Sequence, residues 1–284
     1  MRLVIPALAL IALLPTVVQA APITLTNATT SLQVNGGEAD NGLVPFDGYF
    51  RYTDLAAAEE TTWSIDPLLR FSDGSTLVLS DSTAGGFGSP VDAGSGMVAS
   101  QVLGAGSGLV DVVAITELVG SNARTTFTFT AASALPLDGL RFVFYAENDL
   151  FIADDTASFT GSIGGGDLVL YMYDTANGGL TVRMTSEQGA GATLDLFGAD
   201  EWTAFGNSLE GGDLSVLSAD GSNFAAAGDL GLVFAYSLSG TKATVVINYD
   251  TQPVPPTGVP APSSLGMIGL GLALVGLKRA HAAA

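Results

Sequence analysis

Apolar and polar residues alternate along most of the chain between residues 22 and 251. Segments such as LVDVVAITELV and RTTFTFTA repeat with a period of two and are rich in β-branched side chains, which is typical of half-buried β-strands. Turns rich in glycine and aspartate separate these segments, and the clearest hairpin is DLVLYMYDTANGGLTVRM, with Asn177-Gly178 at its turn. Helix-forming patterns are limited to two short stretches, one near Leu55 and one near Trp202. The pattern therefore predicts an all-β fold, an antiparallel β-sandwich or jelly roll.

The N-terminal end and the region after residue 251 follow other patterns. Residues 1–20 contain a basic start at Arg2, an apolar core and small residues before Ala21, which predicts a signal peptide helix cleaved between Ala20 and Ala21. The predicted β-sandwich ectodomain then spans residues 21–251. Residues 252–264 follow as a proline-rich spacer, a composition that does not continue a sheet.

Residues 265–279 form an apolar segment that ends in Lys278-Arg279. The 13 uncharged residues from Leu265 to Leu277 would span about 20 Å as a helix, whereas the hydrocarbon core of a bilayer is about 30 Å thick. We therefore expect a short membrane helix that anchors the chain only transiently. The two cations that follow it place the acidic ectodomain outside the cell.

This C-terminal pattern resembles the PEP-CTERM sorting signal. Pro260 and Pro262 match the two prolines of its Pro-x-Pro box, Ala261 stands where glutamate is usual, and Lys278-Arg279 match its basic cluster. The resemblance implies a Gram-negative bacterium that makes exopolysaccharide, a transient inner-membrane anchor, and recognition by an exosortase that cuts near the box. The protein is accordingly expected to be secreted and displayed at the cell surface.

Charge and composition narrow the chemistry of the ectodomain. The chain has 28 acidic and 9 basic residues, a net charge of −19, and no cysteine. A surface this acidic repels nucleic acid, and a chain without cysteine forms no disulfide. The single histidine, His281, lies beyond the apolar segment, which excludes Ser-His-Asp and Cys-His catalysis and histidine-bound zinc from the ectodomain.

The stretch YAENDLFIADDTASF concentrates carboxylates between two predicted strands. Carboxylate and loop carbonyl oxygens are the usual ligands of calcium, so this stretch predicts a calcium site, with a solvated acidic loop as the alternative. The candidate ligands are Glu147, Asp149, Asp154 and Asp155.

Carboxylates are also the remaining candidates for acid–base chemistry. A carboxyl group needs burial or a neighbouring negative charge to raise its pKa toward neutrality, and only Glu117 and Glu147 adjoin strands apolar enough to supply burial. The two tryptophans, Trp63 and Trp202, are expected in the core or at its rim rather than as platforms for sugar stacking. No catalytic residue is assigned on this basis.

These patterns favour a non-enzymatic component of the bacterial envelope or exopolysaccharide matrix, with an exosortase and extracellular polysaccharide as partners. The alternative is a surface carbohydrate-binding module or a carboxylate-dependent glycosidase. A cleft with two convergent acids and an exposed tryptophan would favour that alternative.

Overall fold

A computed structural model describes residues 22–36, 48–62, 64–82, 84–133, 135–148, 155–174, 180–225, 227–228 and 230–252. These residues form three antiparallel β-sheets and two short helical segments. The elements are, in chain order, β1 (Ile23–Thr26), β2 (Thr30–Val34), β3 (Phe50–Asp54), β4 (Glu59–Glu60), β5 (Ser64–Arg70), β6 (Thr76–Val78), β7 (Val91–Gly94), β8 (Met97–Gly104), α1 (Ala105–Gly108), β9 (Val110–Val119), β10 (Asn122–Ala131), β11 (Arg141–Glu147), β12 (Asp155–Thr160), β13 (Val169–Asp174), β14 (Thr181–Gln188), β15 (Ala192–Glu201), α2 (Trp202–Glu210), β16 (Ala227–Gly228), β17 (Leu230–Leu238) and β18 (Lys242–Gln252).

The largest sheet has nine strands in the order β16-β12-β13-β14-β18-β10-β9-β8-β7. Its central strand is β18, the last in the sequence, which pairs antiparallel with β10 on one side and β14 on the other. Apolar residues alternate with polar ones along these strands, so that one face of the sheet carries aromatic and aliphatic side chains and the other carries polar ones. The apolar face is called the inner face and the polar face the outer face.

A second sheet, in the order β15-β17-β11-β5-β6, packs on the inner face and completes a β-sandwich. Phe142 of β11 lies between two phenylalanines of β10, with ring centroids 4.8 Å from Phe127 and 4.9 Å from Phe129. All three rings are fully buried. Such aromatic clusters bury large apolar areas and fix the spacing of the two sheets.

Helix α2 covers the opposite face of the five-stranded sheet. Phe205 and Leu209 of the helix pack with Val143, Tyr145 and Val233 in a second apolar cluster. The five-stranded sheet is therefore buried on both faces, which explains why β17 has the nearly unbroken apolar sequence LGLVFAYSL. The nine-stranded sheet has no comparable apolar cluster on the outer face within the described residues.

The third sheet, in the order β1-β2-β3-β4, closes one end of the sandwich. Tyr52 of this sheet contacts Tyr249 of β18 with ring centroids 5.1 Å apart. The hydroxyl of Tyr249 donates to Oδ1 of Asn148 at 2.7 Å and lies 2.9 Å from the hydroxyl of Thr61. Burial raises the pKa of Tyr249 well above its ordinary value, so this phenol stays neutral and acts as a structural hydrogen-bond donor.

The prediction of an all-β, antiparallel sandwich is confirmed, and so is the pairing of the β13–β14 hairpin. The stretch near Leu55 was expected to form a short helical turn and instead forms a tight turn before β4, whereas the stretch near Trp202 forms the nine-residue helix α2. The predicted signal peptide, spacer and membrane helix lie outside the described residues. None of the described helices has the length and apolar character needed to cross a bilayer.

Candidate functional site

A row of polar side chains crosses the outer face of the nine-stranded sheet. One residue comes from each of five adjacent strands, β10, β18, β14, β13 and β12, because the register aligns Asp250 with Arg183, Arg183 with Tyr171, and Tyr171 with Ser158. The pairing of Ala123 with Tyr249 places Asn122 beside Asp250. The row, called the polar row, consists of Asn122, Asp250, Arg183, Tyr171 and Ser158.

Strand alternation explains why these side chains point outward. Their neighbours in sequence, including Ala123, Tyr249, Met184, Met172 and Ala157, belong to the apolar core between the two large sheets. Successive side chains of a strand project to opposite faces, so the residues between these core positions project away from the core. Each strand in the group thus contributes one polar residue to the same line across the sheet.

Several oxygen atoms on this face are buried and have no hydrogen-bond partner among the described residues. They are Oδ1 of Asn122, Oδ1 of Asp250 and Oγ of Ser158 in the polar row, and Oγ1 of Thr181 in the next row. Ser158 is 6% exposed and Thr181 is fully buried. A buried polar atom without a partner costs free energy, and few remain in native proteins unless they serve another role. This face therefore carries hydrogen-bonding capacity that the described residues do not use.

The charges around the polar row are organised into pairs. Arg183 Nη1 lies 3.7 Å from Asp250 Oδ2. Burial raises the pKa of Asp250, and the nearby positive charge of Arg183 opposes that rise only in part. Asp250 consequently holds its proton to a higher pH than an exposed aspartate does.

The neighbouring row contains a second group of paired charges. Arg124 Nη1 lies 3.1 Å from Glu117 Oε1, and Arg124 Nη2 lies 3.7 Å from Glu187 Oε2. Asn248 joins the two rows, because it accepts a hydrogen bond from Asn122 at 3.0 Å and donates one to Glu187 at 3.3 Å. The two rows form one connected polar surface with acceptors, donors and both signs of charge.

Two tyrosines of β13 lie on the same face, one within the polar row and one beside it. Tyr171 belongs to the row, and Tyr173 lies two residues further along β13, opposite Thr181. Tyr173 is only partly buried, and this burial raises its pKa, so the phenol is neutral at physiological pH. An aromatic ring beside hydroxyl, amide and carboxylate groups provides both an apolar face and directional hydrogen bonds.

A separate acidic group lies on the other side of the sandwich, at the C-terminal end of α2. Desolvation and the negative charges of Asp66 and Asp81 raise the pKa of Glu210, and the hydroxyl of Ser80 donates to Asp66 at 2.5 Å. No atom of these four side chains is among the buried atoms without a partner in the described part of the chain. The group thus lacks the unused hydrogen-bonding capacity of the polar row.

The structure separates the two carboxylates that the sequence singled out for catalysis. Glu117 lies on β9, on the outer face next to the polar row, whereas Glu147 is buried at the end of β11 in the other sheet. Trp63 lies outside the described residues, and Trp202 is the first residue of α2, with its side chain not described. The two acids therefore do not form one site.

Only part of the candidate calcium site lies in the described residues. Glu147 and Asp155 are both buried, at the end of β11 and the start of β12, while Asp149 and Asp154 lie outside the described ranges. In those ranges no three acidic or histidine side chains are grouped so that they could hold a metal ion. The residues predicted for cleavage and sorting also lie outside the described ranges. They are Ala20, Ala21, Pro260, Ala261, Pro262, Lys278 and Arg279.

Comparison with known proteins identifies no family. No family model matches the chain, and no characterised protein matches its sequence. Among solved structures, a galactose mutarotase-like protein from Lactobacillus casei is similar with a TM-score of 0.46 and 8% identity, covering 82% of this chain and all of that protein.

Two larger carbohydrate-active proteins are also similar in structure. The α-N-acetylgalactosaminidase NagBb from Bifidobacterium bifidum has a TM-score of 0.48 and 12% identity over 81% of this chain. Heparinase III has a TM-score of 0.47 and 9% identity over 84% of this chain. The chain spans little more than a third of each, 36% of the galactosaminidase and 37% of the heparinase.

These comparisons correct the functional expectation. A non-enzymatic component of the envelope or matrix was expected, with no catalytic role, and the structures that resemble the chain are instead a mutarotase-like protein, a glycosidase and a heparinase. The expectation of a non-enzymatic component is therefore wrong. Because all three TM-scores are below 0.5, the case for a particular chemistry rests on the side chains of this chain.

Proposed function

We propose that the protein is a carbohydrate-binding β-sandwich and that the polar row is its binding surface. The observation that carries this proposal is the set of buried oxygen atoms on the outer face that have no partner in the described residues. A ligand rich in hydroxyl groups would supply those partners once the side chains that cover these oxygen atoms move aside. A sugar meets this requirement because each hydroxyl group both donates and accepts hydrogen bonds.

The chemistry of the individual atoms favours a polyhydroxyl ligand. Oδ1 of Asn122 and Oδ1 of an ionised Asp250 only accept hydrogen bonds, so the ligand must donate to them. Arg183 only donates, and the hydroxyl of Ser158 does both. Neighbouring hydroxyl groups of one sugar ring provide this mixture of donors and acceptors at close spacing.

The aromatic residues add a second element of recognition. Tyr173 is partly exposed on the face that carries the polar row. The C–H groups of a sugar ring pack favourably on an aromatic ring, while its hydroxyl groups remain free for the neighbouring polar atoms. Tyr173 would thus orient a sugar ring with its hydroxyl groups directed toward Thr181 and Asp250.

The test is binding of the purified full-length protein to a panel of soluble glucan, galactan, mannan and xylan, measured by affinity electrophoresis and calorimetry. Asn122→Ala and Asp250→Ala should each weaken binding by about tenfold or more, since each removes a buried acceptor. Thr128→Val is the matched control, because Thr128 lies on the same face of β10 but six residues, roughly 20 Å, from Asn122. Equal binding by all variants, or no binding to any polymer, would remove the proposal.

A second candidate, a carboxylate-dependent glycosidase, is favoured by the raised pKa of Asp250. A protonated Asp250 would donate to the glycosidic oxygen as the C–O bond breaks, and Glu117 would take a proton from the water that forms the new C–O bond. Glu117 is two strands away and two residues further along, roughly 12 Å between the two backbone positions, so the two side chains would converge on a water held between them. Release of reducing ends that is abolished in Asp250→Asn and Glu117→Gln, but retained in Asp92→Asn on the edge strand, would establish this activity.

A further inference from the structure

We infer that the polar row selects neutral polysaccharides and rejects those that carry carboxylate or sulfate groups. This inference rests on the proposed carbohydrate binding and concerns the class of sugar polymer. It follows from how the charges of the outer face are paired.

Both arginines near the polar row already have carboxylate partners. Arg183 lies 3.7 Å from Asp250, and Arg124 lies within 4 Å of both Glu117 and Glu187. Recognition of an anionic sugar requires an arginine or lysine free to pair with the ligand. The described residues around the row provide none, since the remaining cation of this face, Lys242, lies at the far end of β18.

The local charge balance of the outer face is negative. Three carboxylates, Asp250, Glu117 and Glu187, surround two guanidinium groups. Within the row, Oδ1 of Asp250 is a covered oxygen without a hydrogen-bond partner among the described residues. A hydroxyl group can donate to this atom, whereas a carboxylate or sulfate placed there meets repulsion between like charges.

The charge of the whole chain acts in the same direction. With a net charge of −19, the protein repels polyanions before contact, and this repulsion weakens as salt is added. Selection against anionic polymers thus has a local part, set by Asp250 and its neighbours, and a long-range part, set by the total charge. Only the long-range part is largely removed by salt.

The experiment compares each neutral polymer with the same polymer after its primary hydroxyl groups have been oxidised to carboxylates. The full-length protein is titrated with both forms, at low and at physiological ionic strength. We expect the neutral form to bind at least about tenfold more tightly at low ionic strength, and a smaller preference to remain at physiological ionic strength. Xylan is omitted because its sugar rings lack the primary hydroxyl group.

Variants separate the local charge effect from a loss of folding. Asp250→Asn should narrow the preference for the neutral form, and the double variant Glu117→Gln/Glu187→Gln, which frees Arg124, should strengthen binding of the oxidised form. Stronger binding of the oxidised form by the unaltered protein would overturn the inference and leave carbohydrate binding intact. Absence of binding to either form would overturn the proposed function as well.

Discussion

At the scale of single residues, Asp250 combines partial burial with a carboxylate oxygen that has no partner among the described residues. One of its carboxylate oxygens is buried without a hydrogen bond from the described residues, and the other lies 3.7 Å from Arg183. Burial disfavours the ionised form more than this neighbour favours it, so the pKa is raised. Ionised Asp250 therefore lowers the stability of the unliganded fold. The same residue leaves an acceptor without a partner among the described residues on the outer face.

Asp250→Asn should raise the melting temperature of the protein at neutral pH. Because the folded pKa is above the unfolded pKa, the favourable contribution of the protonated group is complete below the unfolded pKa and is lost as pH rises through the folded pKa. The variant cannot ionise, so its melting temperature should exceed that of the unaltered protein only slightly at acidic pH. At neutral pH the difference should reach about 1 to 3 °C, a small value because Asp250 is partly solvated. Thermal melts at low salt between acidic and neutral pH measure this, and an equal or lower melting temperature at every pH would contradict it.

Gly106 and Gly108 provide a matched pair for a steric prediction. Both have positive φ, 63° and 91°, in the left-handed turn of α1. A Cβ on Gly106 would lie 2.2 Å from Cε1 of Phe71, whereas one on Gly108 would have no atom within 4 Å. Gly108→Ala should lower the free energy of unfolding by about 1 kcal/mol through backbone strain alone. Gly106→Ala should lower it by about 2 to 4 kcal/mol, because the clash with Phe71 is added to that strain.

Urea denaturation measures the free energy of unfolding of these two glycine variants. Similar losses for both would show that the turn relaxes away from Phe71. They would also show that backbone conformation alone selects glycine at these positions.

At the scale of elements, α2 gives the two large sheets different outer faces, since it covers only the five-stranded sheet. It buries the outer side of the five-stranded sheet through Phe205 and Leu209, while the outer face of the nine-stranded sheet keeps its polar residues. A short helix is marginal by itself in water, so its stability derives from this packing. The presence of α2 on one sheet leaves the other sheet as the broad polar surface.

Leu209→Ala should lower the free energy of unfolding by about 2 to 5 kcal/mol, as expected for removal of a buried leucine side chain. Asn207→Ala, an exposed position of the same helix, should change it by less than about 0.5 kcal/mol. Chemical denaturation of both variants tests the packing. A small loss for Leu209→Ala would mean that α2 is not anchored to the five-stranded sheet.

The strands that could be predicted from the sequence are those with an uninterrupted period of two, such as β9 and β10. Strand β15 does not show this period, because a bulge between Leu194 and Leu196 shifts the phase of its apolar residues. The period is also broken in strand β8, because Ser100, a polar residue, occupies one of its buried positions.

The polar row could not be predicted from the sequence pattern. Asn122 and Asp250 are 128 positions apart in the chain, and they become neighbours only through the register of β10 with β18. Among the residues chosen from the sequence that the structure describes, only Glu117 lies beside this row, and it was chosen because its strand is apolar. A local pattern shows which face a side chain occupies but not which distant strand lies next to it.

At the scale of the whole molecule, the excess of acidic residues sets the response to salt. Like charges across the surface repel one another in the folded state, and added ions screen this repulsion. We expect the melting temperature to rise by a few degrees between low and physiological concentrations of sodium chloride. A further, saturable rise in calcium at matched ionic strength would support the predicted calcium site, and equal melting temperatures would count against it.

The position of β18 has a consequence for the order in which the protein can fold during its synthesis. The ribosome makes this strand after all the other described ones, yet it lies between β10 and β14 in the middle of the nine-stranded sheet. Until residue 252 has been made, β10 and β14 each present an open edge and the two halves of the sheet have no connection. A growing chain therefore cannot complete the nine-stranded sheet, and with it the sandwich, until its last described strand has been made.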